Sequence, residues 1–83
     1  MTPPEWLLRH DGTLQPASDG HTWFLFFEAE PHYKLTPAPA DGRFTCRIAQ
    51  TENGRRLDKG TIYPSADDAL RGGLEELRAI LGW

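Results

Sequence analysis

At 83 residues the chain is short enough to be read as one domain, residues 1–83, and its 39% apolar and 25% charged composition excludes the low-hydrophobicity signature of disorder. A net charge of −3 excludes a strong basic field over the whole molecule, and a single cysteine, Cys46, excludes an internal disulfide and any multi-cysteine zinc site. No apolar run exceeds the five residues Trp23 to Phe27, and MTPPEWLLRH has neither the basic flank nor the long apolar centre of a secretion signal, so the expectation is a cytoplasmic chain with no membrane partner.

The N-terminus opens with a helix-start pattern. Thr2 is placed to cap, Pro3 to occupy the first helical position, and Glu5 to complete a T-x-x-E box, with Met1 and Trp6 as a hydrophobic staple. Asp11-Gly12 then stops a short helix over roughly residues 3–10; a strand over WLLRH, turning at the same dipeptide, is the competing reading.

Asp19-Gly20 precedes HTWFLFFEAE, which predicts a strand over residues 21–29. Alternate side chains of a strand face opposite ways, so Trp23, Leu25 and Phe27 share one face and Phe24 and Phe26 the other. Pro31, Pro37 and Pro39 interrupt the next stretch of chain, leaving YKLT, residues 33–36, as a short edge strand. RFTCRIAQ, residues 43–50, alternates cleanly: Phe44, Cys46 and Ile48 face inward, and Arg43, Thr45 and Arg47 outward. Asn53-Gly54 signals a hairpin that returns through residues 56–63. A perfect register there sets Phe44 opposite Tyr63 but Ile48 opposite Lys59, so a bulge or irregular pairing is expected near Asp58-Lys59-Gly60.

The last segment carries the clearest helical period. Ser65 caps it, Asp67 and Asp68 suit its first turn, and Ala66, Ala69, Leu70, Leu74, Leu77, Ile80 and Leu81 form the apolar stripe. Gly73, within that stripe, permits close approach to a sheet, Gly82 ends the helix, and Trp83 is expected to fold back near Leu77. The fold class is therefore α+β: an antiparallel sheet of three to four strands, one long C-terminal helix on one face and a short N-terminal helix.

Chemistry-bearing constellations are sparse. Glu28, Glu30 and His32 would line up as metal ligands only on a straight strand, which Pro31 opposes, and the histidines at 10, 21 and 32 have no recognised ligand spacing. Cys46 sits in a core pattern, Ser65 is a cap, and Gly72-Gly73 falls inside a helix rather than at its start, so no catalytic set, metal or cofactor is assigned. The order helix, three strands, helix resembles the double-stranded-RNA-binding architecture in topology alone. That family presents basic residues at the N-terminus of its second helix, whereas this chain has Asp67 and Asp68 there.

Charge is unevenly distributed. Arg43, Arg47, Arg55, Arg56 and Lys59 face only Glu52 and Asp58 in their segment, while acids outnumber bases elsewhere. If the aromatic strand pairs with RFTCRIAQ, Phe24 and Phe26 stand beside Arg43 and Arg47, an aromatic-arginine face of the kind that stacks bases, although Glu28 and Glu30 would then approach the arginines. Exposing two phenylalanines forfeits roughly 3–6 kcal/mol of burial out of a total stability of about 5–10 kcal/mol, so the expectation is cover, with Trp6, Leu7 and Leu8 as the lid. The functional expectation is a noncatalytic module that binds another protein, with Phe24, Phe26, Arg43, Arg47, Arg55, Arg56 and Lys59 as candidate contacts. RNA or single-stranded DNA binding is the alternative, and a homodimeric structural protein or a small enzyme the third reading.

Overall fold

A computed structural model describes residues 2–83. A short helix, α1 (Glu5–Arg9), leads into five strands, β1 (Thr13–Pro16), β2 (Trp23–Phe27), β3 (Glu30–Ala40), β4 (Arg43–Gln50) and β5 (Ile62–Tyr63), and the long helix α2 (Ala66–Leu81) completes the chain. Each strand pairs antiparallel with the next, giving the order β1-β2-β3-β4-β5. The class is α+β as expected, with five strands; helix, five strands, helix also departs from the three-strand order of the double-stranded-RNA-binding architecture.

The N-terminal capping box does not form. Pro4 occupies the cap position with no side-chain hydrogen bond, and the staple proposed for Met1 lies outside the described residues. The stop at Asp11-Gly12 does form, with the two roles exchanged. Asp11 takes the left-handed backbone at φ 56°, its N–H donating to Leu8 and that of Gly12 to Leu7. Gly12 is buried, and a Cβ there would sit 2.7 Å from Phe27 Cε1, so packing rather than backbone freedom requires a glycine.

The largest departure from expectation is β3. The proline-rich segment is an eleven-residue central strand, and it separates β2 from β4, which do not pair. Two local devices make this possible. The β2–β3 register shifts between Leu25 and Phe26, so that Leu25 faces Tyr33 while Phe26 faces Pro31, which absorbs the first proline and leaves His32 as the extra residue. At the other end β2 stops at Trp23, opposite Leu35, so β3 beyond that point pairs only with β4. Pro37 and Pro39 lie two residues apart, so both nitrogens point to the same side, the one β2 has vacated.

The β4–β5 connection is irregular where expected. Ala49 faces Arg56 and Phe44 faces Tyr63, so five residue steps on β4 oppose seven on the return. The surplus loops out around Gly60, and the Asp58 carboxylate accepts the Ile48 N–H at 3.0 Å in place of a strand partner.

The core lies between one face of the sheet and α2. Leu25, Leu35 and Ile48 are fully buried with Leu74 and Leu77, and Cys46 fits beneath Gly73, where a Cβ would come within 2.7 Å of the Cys46 Cβ. Ser65 caps α2 by accepting the Asp68 N–H, and the helix ends at Gly82 with Trp83 N–H donating back to Arg78. Trp83 does fold back, its ring meeting His10, Trp6 and Phe27.

Candidate functional site

Period two assigns the second face of the sheet. Opposed residues of antiparallel strands share a face, so with Leu25 and Leu35 buried under α2, Phe24 and its partner Lys34 point away from it. The rows continue across the sheet. Gln15, Phe24, Lys34, Ala49 and Arg56 stand opposite one another in turn. Thr13 stands opposite Phe26, Thr36 opposite Arg47, Ala38 opposite Thr45, and Ala40 opposite Arg43.

The expected lid is on the other side. Trp6 and Leu7 are buried in the cluster that contains Leu25 and Leu77, and Leu8 is 54% exposed. An α1 of five residues offers one apolar side, and the hydrophobic ends of α2, Phe27 and Trp83 claim it. Phe24 and Phe26 are half-buried by their neighbours on the sheet, but neither belongs to the core cluster or packs against it.

The seven candidate residues therefore separate into groups. Phe24, Phe26, Arg43 and Arg47 share the open face, though β3 intervenes between the rings and the two arginines, so the predicted direct neighbourhood is lost: β4 lies two strand spacings, about 10 Å, from β2, and Arg47 and Arg43 stand further along it than Ala49, which shares the row of Phe24. Lys34 fills that gap. Among the described residues neither Arg43, Arg47 nor Lys34 forms an ion pair, and Glu28 and Glu30 lie at the β2–β3 turn rather than beside the arginines. Arg56 is on the same face but engaged: its guanidinium grips Asp58 through contacts of 2.7 and 2.8 Å. That guanidinium, together with the Ile48 N–H, holds the Asp58 carboxyl down at about 2, while the same pairing moves Arg56 up. Arg55 and Lys59 belong to the β4–β5 connection, where the Lys59 N–H donates to Glu76 of α2.

Sequence reasoning missed Lys34. The signal was present, since Lys34 alternates with Tyr33 and Leu35 in the strand read over residues 33–36, but three prolines marked that strand as a short edge rather than the long centre of the sheet. Ile62, 40% exposed and opposite Thr45, lies on the return strand read over residues 56–63, of which only Ile62–Tyr63 pairs as a strand.

Other chemistry-bearing groups are held in structural roles. Burial pushes the Cys46 thiol up to about 12, with the Glu76 and Asp58 charges adding to the effect, so it is a packed core group rather than a nucleophile. Asp19 accepts the His21 and Thr22 N–H groups and the Thr22 hydroxyl, which together hold its carboxyl at about 2. Glu28 occupies a turn and His32 a bulge, so Glu28, Glu30 and His32 do not form one straight strand face. No helix among the described residues is long and apolar enough to cross a membrane. Comparison with known proteins finds no matching family model, no matching curated protein and no matching solved structure.

Proposed function

We propose that the protein is a noncatalytic binding module whose open sheet face receives an acidic, partly apolar segment of another protein. The observation that carries this reading is that both helices pack on the same side, leaving Phe24 and Phe26 uncovered on a face that also holds Lys34, Arg43 and Arg47. Apolar rings supply desolvation, and cations without an internal partner supply complementarity toward carboxylates and orient the approach. The acids Asp67, Asp68 and Glu75 are exposed on α2, across the sheet from this face, so an acidic partner is steered to one side of the molecule.

Photocrosslinking from benzoylphenylalanine at position 26, in the cell that makes the protein, tests the reading. The expected product is a crosslink to a different polypeptide, lost in Arg47→Glu and retained in Arg71→Glu on α2. A crosslink only to a second copy of the chain, or one indifferent to Arg47, overturns it.

A second reading, single-stranded nucleic acid, rests on the row in which Phe24, Lys34 and Arg56 succeed one another across the strands. A ring for stacking with cations at strand spacing suits a phosphate backbone. It requires binding to a mixed oligonucleotide that weakens steeply with salt, and no binding at low salt removes it.

A further inference from the structure

At the end of the sheet near the β2–β3 turn, on the α2 side, four stretches distant in sequence enclose a groove of about 410 Å³. Its walls are aromatic. The Trp83 and Phe27 rings meet edge to face at 5.4 Å and 84°, Tyr33 lines the groove beside them, and His10 stacks on Trp83 at 3.8 Å. Its only acidic side chains are Asp11 and Glu28, neither of which forms an ion pair among the described residues, and its only basic side chains are the imidazoles of His10 and His32. Both acids are exposed, Asp11 at the stop of α1 and Glu28 in the β2–β3 turn.

We propose that this groove binds a quaternary ammonium group. Aromatic faces attract cations through the ring quadrupole, and a trimethylated nitrogen spreads its charge over methyl groups that give up little hydration on leaving water. Trp83 offers the strongest such surface and remains 39% exposed with His10 stacked on one face of its ring. The Asp11 and Glu28 carboxylates flank the rings and select a cation over a neutral group of the same shape. The site is separate from the open sheet face: Phe27 and Tyr33 point to the α2 side, so occupancy of one leaves the other free.

Choline and its neutral isostere 3,3-dimethylbutan-1-ol separate charge from shape. In a proton–nitrogen NMR titration of the full chain, choline is expected to shift the Trp83 indole resonance and the amides of residues 10–12, 27–30 and 32–33 saturably, with an affinity on the order of a millimolar. The alcohol is expected to bind about tenfold more weakly. Trp83→Leu should lose about tenfold in choline affinity while Trp83→Phe retains most of it. Glu28→Gln, in an exposed turn, should weaken choline severalfold and leave the alcohol unchanged. The proposal is overturned by the absence of saturable shifts up to about 50 mM choline, well above that affinity. Equal binding of choline and the alcohol also overturns it, as does undiminished binding in a folded Trp83→Leu or Glu28→Gln chain.

Discussion

The two faces of the sheet draw on the same strands and similar side chains, and they differ completely in what meets them. On one face Leu25, Leu35, Cys46 and Ile48 are at most 1% exposed beneath α2. On the other, Phe24 and Phe26 keep part of their surface in water, with Lys34 next to Phe24 and Arg43 and Arg47 further across the same face. Hydrophobicity read along β2 does not distinguish them, since WFLFF is apolar at every position. The difference arises because both helices settle on one side. A short helix places its apolar residues where buried surface is already being created, and α1 gains more by extending the core of α2 than by opening a second one over two rings.

The largest expected effects lie on the covered face. Leu25→Ala should destabilise the protein by about 3 kcal/mol in urea denaturation, whereas Phe26→Ala should cost less than about 1 kcal/mol, because one leaves a cavity and the other trims a partly wetted ring. Equal losses would mean that the open face is packed after all. Gly73→Ala should also destabilise, by about 1–2 kcal/mol net, because the added methyl overpacks Cys46 by more than alanine's better helix propensity returns.

A third prediction concerns the link between the faces. Asp58 holds Arg56 on the open side and the Ile48 N–H within the sheet, and its carboxyl sits at about 2, below the ordinary aspartate value near 4. A depressed carboxylate stabilises the fold at pH above its unfolded value, and that stabilisation is lost as pH falls from about 4 toward 2. Asp58→Asn should therefore lower stability at pH 7 by about 1–2 kcal/mol and flatten the acid limb of the pH profile between 4 and 2. An unchanged acid limb would show that Asp19, held at about 2 by its own turn, dominates there.

The smallest effect is a gain. Glu28 and Ala29 form the two-residue β2–β3 turn with φ of 54° and 65°, whereas Asp41-Gly42 meets the same demand at the β3–β4 turn with residues suited to it. Replacing Glu28-Ala29 by Asn-Gly should stabilise the protein by about 1 kcal/mol. In choline titrations the same variant should bind more weakly, since it removes a carboxylate from the groove.

Legibility in the sequence tracked the length and regularity of each element. α2 was readable from cap to terminal glycine because sixteen residues repeat one period between two punctuating residues. The bulge before β5 was readable because Phe44 and Tyr63 matched while Ile48 and Lys59 did not. Of β3 only residues 33–36 were, as an edge strand, because a proline is read as an interruption unless one knows which side of the strand lacks a neighbour, and that side is created by where β2 ends. The candidate face inherited this error: its rings and arginines were found, while Lys34 and the central position of the strand that carries it were not.

By itself, then, the sequence determined the two faces of β2 and β4, the cap and close approach of α2, and the polarised charge, since all of these derive from period and local backbone chemistry. Only the tertiary structure decided which side α1 would take, that β3 would stand between the aromatic and arginine-bearing strands, and that Trp83 would meet His10 and Phe27. Those outcomes depend on competition for the same buried surface among segments far apart in the chain, and no local pattern records which of them wins.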